Sequence, residues 1–196
     1  MAKEKYASFT QESLSSDVSK IDVGRGVCLG ICIEYIKYLK KNGTTDSIVK
    51  AFDGQGSGLS ESLLTTGDKG ISTHLSKGKG EGDRSDLFGH KRDLEVMGFT
   101  VTIGSNGLGD KDSIVTEIKA SSRFAFHIIY FDIYENVEKK AGWHVVAVKG
   151  NGWTGSFDRI FYAMDPNLGI WKITSTASLG TWYQTDISAK YVPLTS

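Results

Sequence analysis

Residues Gly26–Gly43 read GVCLGICIEYIKYLKKNG, and both cysteines of the chain, Cys28 and Cys32, lie in this stretch one helical turn apart. Apolar or aromatic side chains at Val27, Ile31, Tyr35, Tyr38 and Leu39 follow helical spacing, and Lys40, Lys41, Asn42 and Gly43 supply a basic last turn and a glycine stop. The spacing predicts a helix over 27–39 with Cys28 in its first turn. Unpaired N–H groups and the positive end of the helix dipole stabilise a thiolate there, which can bring a thiol from about 8.5 to below about 7.5 when a cation helps. Cys32 meets N–H groups already committed to the helix and reads as a small core residue. Buried packing is the ordinary fate of a free cysteine, so Cys28 acquires chemistry only beside a base and an orienting acid.

Outward from this helix, the chain of 196 residues is long enough for one compact domain. Residues 1–20 are rich in Ser, Lys and Glu without periodic hydrophobicity and read as a tail or arm, leaving 21–196 as the single domain. Basic and acidic residues balance at 23 each, which argues against nucleic acid or an anionic membrane as the main partner. No apolar run is long enough to span a bilayer, and MAKEKYASFTQESLSSD lacks the apolar centre of a signal peptide, so synthesis as a soluble protein is expected. Two cysteines one turn apart are not a disulfide framework.

Thr45–Phe52 suits a short helix, and Asp53–Asp86 is crowded with glycine and small polar residues, as in a loop, lid or linker. Asp86–Met97 and Ser113–Ala120 look helical, and Phe99–Gly104 alternates like a strand. Beyond Arg123 the runs FAFHIIYFDIY, WHVVAVKG, RIFYAMD and GIWKITST are β-branched and aromatic, separated by turn residues, and predict an antiparallel meander. Helices first and strands later make the class α+β.

Four histidines are candidate bases. His74 and His90 fall in or beside the glycine-rich region, and His127 lies within a strand, where a satisfied core or sheet-face role is usual. His144 opens WHVVAVKG, while RIFYAMD ends in Asp165 before Pro166. If these strands form an antiparallel hairpin, the start of the first lies opposite the end of the second, and His144 and Asp165 become neighbours. Asp-Pro-Asn-x-Gly is also good turn chemistry in its own right. Taken jointly, Cys28, His144 and Asp165 supply nucleophile, base and orienter for thiol acyl transfer.

Gly26-x-Cys28-x-x-Ile31-x-x-x-Tyr35, His144 at a strand start, and Asp165-Pro166-Asn167-x-Gly169-x-Trp171 resemble the YopT/AvrPphB-type cysteine proteases, bacterial effectors with a papain-like fold. Three short segments between Gly24 and Tyr191 carry the resemblance, with Ile31, Tyr35 and Trp171 standing where the family has Leu, Trp and Phe. It implies a papain-like domain whose N-terminal helices, with the catalytic cysteine at a helix start, pack on a C-terminal antiparallel sheet. Cys28 would be the nucleophile, His144 the base and Asp165 the residue that holds the imidazole. It further implies a protein substrate, room for an immunity protein or chaperone as a further partner, no cofactor, and delivery by a specialised secretion system. One departure concerns the oxyanion: papain-like enzymes place a side-chain amide shortly before the cysteine, whereas SKIDVGRGV offers Asp22, whose carboxylate has no proton to donate. The Cys28 backbone N–H remains as one donor, and the side-chain donor is unassigned.

Other readings compete. The same triad serves papain-like glutamine deamidases and transglutaminases, and a scaffold lacking the amide could be a non-catalytic binding module. A metal held by Cys28, Cys32 and a histidine lacks a second ligand pair at recognisable spacing. Trp143, Trp153, Trp171 and Trp182 read as core or groove lining, and Lys37, Lys40 and Lys41 as the wet face of the first helix.

Overall fold

The computed structural model describes residues 3–8, 28–52, 94–95, 98–102, 111–120, 125–134, 141–153 and 159–188. In chain order the elements are β1 (Lys3–Ala7), α1 (Cys28–Asn42), α2 (Asp46–Ala51), α3 (Lys111–Ala120), β2 (Phe126–Tyr134), β3 (Ala141–Trp153), β4 (Arg159–Asp165), β5 (Gly169–Ile173), α4 (Thr176–Trp182) and a π-helical turn at Tyr183–Ser188. Mixed helices and an antiparallel sheet are what the α+β pattern predicts. The glycine-rich stretch, His74, His90 and Asp22 lie outside the described residues.

β2, β3, β4 and β5 form the expected meander, and β1 adds to its far edge, giving the order β1-β5-β4-β3-β2. The tail read over residues 1–20 is therefore an edge strand at Lys3–Ala7, which pairs antiparallel with β5 through Lys3 opposite Ile173 and Lys5 opposite Trp171. Contacts on both sides of the sheet fix it there. Lys3 pairs with Asp186 and donates to Thr185 Oγ1 at 3.0 Å, and the Lys5 ammonium stands 5.5 Å from the centre of the Trp171 ring. Tyr6 packs against Tyr162 with ring centroids 6.3 Å apart, and Lys50 of α2 lies 4.4 Å over the Tyr6 ring. KEKYA looks polar because its apolar partners are supplied by a strand far away in sequence.

The run Val145–Val148 is buried on alternate sides, and that is why it reads as continuously apolar rather than alternating. One side of the sheet, with Val145, Ala147, Tyr162, Met164 and Ile170, packs in one core with Cys28, Ile31, Cys32, Tyr35 and Leu39 of α1. The other, with Val146, Val148, Phe161, Ala163, Trp171 and Ile173, packs with Ile114 and Ile118 of α3, Leu179 and Trp182 of α4, and Ile187. Truncating a fully buried member such as Ile31 to alanine costs about 2–5 kcal/mol. α4 was not legible: Ile173–Thr176 looks like continuing strand, but the Ser175 hydroxyl accepts the Ser178 N–H at 3.1 Å and caps a helix instead. Phe99 and Val101 pack against the first core as alternation suggests, yet residues 99–102 form no strand.

Candidate active site

The β4–β5 hairpin fixes one half of the site. Asp165 ends β4 and pairs in register with Gly169, whose φ of +117° is a backbone conformation that favours glycine. Within this turn the Leu168 N–H donates to the Asp165 carbonyl at 3.2 Å, and the Asn167 N–H donates to Asp165 Oδ1 at 2.7 Å. The local turn chemistry expected of Asp-Pro-Asn-x-Gly is thus present. So is the long-range contact, because His144 Nε2 lies 3.1 Å from the same Oδ1.

Register explains the meeting. β3 and β4 pair with Ala147 opposite Met164, so continuing the ladder puts Val146 opposite Asp165 and His144 at the diagonal position on the same side. His144 is not at the start of its strand, since β3 begins at Ala141 and both Ala141 and Gly142 belong to the ladder with β2. Both side chains are buried, Asp165 completely. A carboxylate only accepts, so this bond puts a hydrogen on Nε2, and in the neutral ring the lone pair is then on Nδ1.

Cys28 is the first residue of α1 and is 6 % exposed. Its sulfur lies close enough to the backbone N–H groups of Leu29 and Val145 for their dipoles to favour its charged form. The Val145 N–H belongs to the peptide that joins it to His144, so the thiol reaches β3 at the residue beside the imidazole. Cys32, one turn on, donates to the Val145 carbonyl at 3.5 Å. Both sulfurs therefore lie against the backbone of one residue.

The charge state differs from the expectation of a thiolate. Burial pushes the Cys28 thiol up to about 12, outweighing the N–H groups of Leu29, Val145 and Cys28, and the Asp165 carboxylate pushes the same way as burial. A helix start does supply donors, but withdrawing sulfur from water costs more than they return. Burial also raises Cys32 well above its ordinary range, followed by the charges of Cys28 and Asp165. At neutral pH Cys28 is therefore a thiol.

The remaining candidates separate from this site. His127 is held at about 4, mainly by burial and then by the charges of Lys149 and Arg159, as suits a sheet-face residue. Trp171 and Trp182 are core, with ring centroids 5.9 Å apart. Among the described residues no three His, Cys, Asp or Glu side chains are grouped to hold a metal ion, and no helix is long and apolar enough to cross a membrane. Sequence reasoning missed the approach of both sulfurs to the Val145 backbone, which carries no residue signature, and the cluster in which Asp46 accepts from Tyr162 at 2.5 Å and from Lys172 at 2.7 Å.

No protein-family model matches the chain, and a search of curated proteins found no match. Among solved structures, the chain is similar to the Pseudomonas avirulence protein AvrPphB, with a TM-score of 0.51 and 17 % identity over 87 % of this chain and 88 % of that one. At this identity the likeness is one of fold, and it extends over nearly the whole of both chains.

Proposed function

We propose that the chain is a papain-like cysteine protease acting on a specific protein, with Cys28 as nucleophile, His144 as base and Asp165 as the residue that orients the imidazole. The observation that carries this reading is the buried Nε2 to Oδ1 bond of 3.1 Å, together with a helix-start thiol that lies near Val145, the residue next to His144 in the chain. The fold likeness to AvrPphB agrees with it, as does the family resemblance of the three sequence segments.

In this reading His144 Nδ1 takes the Cys28 proton as sulfur attacks the scissile carbonyl, while Nε2–H stays bonded to Asp165. The tetrahedral oxygen takes the Cys28 N–H as one donor. The imidazolium then gives its proton to the leaving amine, and water, deprotonated by the same nitrogen, hydrolyses the thioester. Strand alternation puts Val145 on the α1 side and His144 on the other, so the mechanism requires sulfur and ring to meet past the end of the β3–β4 ladder at Ala147–Met164. The high thiol pKa makes proton transfer part of the attack rather than a step completed beforehand.

A bacterial effector or toxin delivered by a specialised secretion system, with an immunity protein or chaperone as a further partner, belongs to the same proposal. The test compares the wild type with Cys28→Ala on a target-cell proteome. New protein termini made by the wild type alone support proteolysis. Glutamine side chains that gain about 1 Da without new termini would assign the same triad to deamidation.

A further inference from the structure

Cys32 has no part in the proposed catalysis, yet it is placed with Cys28 in a way that core packing does not require. Both sulfurs approach the backbone of Val145: Cys32 donates to its carbonyl at 3.5 Å, and Cys28 lies near its N–H. Residues one turn apart on a helix have Cα atoms about 6 Å apart, inside the span a disulfide bridges. Their Cβ atoms, about 5–6 Å apart, are further than the roughly 3.8 Å a disulfide needs. Cys28 can close the gap because it is the terminal residue of α1, and its own N–H lies outside the helical ladder.

We propose that Cys32 is a resolving thiol for Cys28, converting peroxide oxidation of Cys28 into a reversible Cys28–Cys32 disulfide. Cys28 is attacked first because it is 6 % exposed, whereas Cys32 is fully buried. Its sulfur displaces hydroxide from hydrogen peroxide: an S–O bond forms, the O–O bond breaks, and the thiol proton leaves with the hydroxide as water. The Cys32 sulfur then attacks the sulfenic sulfur: an S–S bond forms, the S–O bond breaks, and the Cys32 proton joins the departing hydroxide as a second water. Two thiols and one peroxide become one disulfide and two waters. The inference needs two thiols and not the protease reading.

The experiment treats the full chain with hydrogen peroxide, blocks free thiols and weighs the unreduced tryptic peptide Gly26–Lys37, which holds both cysteines. The expected product is about 2 Da lighter than the dithiol and is restored by dithiothreitol. In Cys32→Ser, whose hydroxyl keeps a donor for Val145, the peptide should instead gain about 32 Da and not recover. A wild-type peptide that gains oxygen atoms as the variant does, that stays unoxidised, or that is recovered as a disulfide between two chains would overturn the proposal.

Discussion

His144 and Asp165 meet through Nε2 and Oδ1 at 3.1 Å, and the oxygen that receives the imidazole is the one that closes the turn by accepting Asn167 N–H at 2.7 Å. A single carboxylate oxygen therefore shapes the β4–β5 hairpin and orients the proposed base. The positioning of the ring depends on a local turn.

Substitutions at Asp165 test the shared role of this oxygen. Asp165→Ala removes the acceptor from both bonds and should cost about 1–3 kcal/mol of stability, with activity reduced by at least about 10²-fold. Asp165→Asn keeps a side-chain oxygen for both Asn167 and His144 and should retain more stability and more activity than Asp165→Ala. Urea titration together with substrate turnover checks both. Equal destabilisation by the two variants would contradict the shared role of that oxygen.

His127 gives the fold a dependence on acid. Burial holds it at about 4 in the folded chain against an ordinary value of 6.5. As pH falls from about 6.5 to about 4 the unfolded chain takes up a proton that the folded chain refuses, so stability falls across that window and is fully present above it. His127→Phe should flatten the change in the urea midpoint between pH 7 and 4.5. Parallel profiles for the two proteins would remove His127 as the source.

The edge strand predicts that the first residues are structural. Deleting residues 1–7 removes the ladder to β5, the Lys3–Asp186 pair and the Tyr6 contacts. A loss of about 2 kcal/mol or more is expected, which lowers Tm by about 4–8 °C in a domain of this size. A tail would leave Tm unchanged in calorimetry.

What was legible in the sequence follows from how local each signal is. α1 announced itself through side chains one turn apart, and the β3–β4–β5 meander through β-branched runs punctuated by Asp-Pro-Asn-x-Gly; together these put His144 beside Asp165. β1 was hidden because the pairing that makes Lys3–Ala7 a strand comes from Gly169–Ile173. α4 was hidden because Thr and Ser suit strands, and only the geometry of Ser175 reveals the cap. The ionisation of Cys28 was misjudged for a related reason. The helix start is local and readable, whereas the desolvation that sets the thiol near 12 comes from packing against β3.

The central claim is that the Cys28 sulfur and the His144 ring work as one unit, and the pH profile of Cys28 alkylation by iodoacetamide, in the wild type and in His144→Ala, tests it most directly. In the variant the rate should climb about tenfold per pH unit from pH 7 to 10 without a plateau, as for an isolated thiol with a pKa near 12. The wild type should react faster at pH 7 and depend less on pH, because imidazole takes the proton. Coincident profiles for the two proteins would contradict the account.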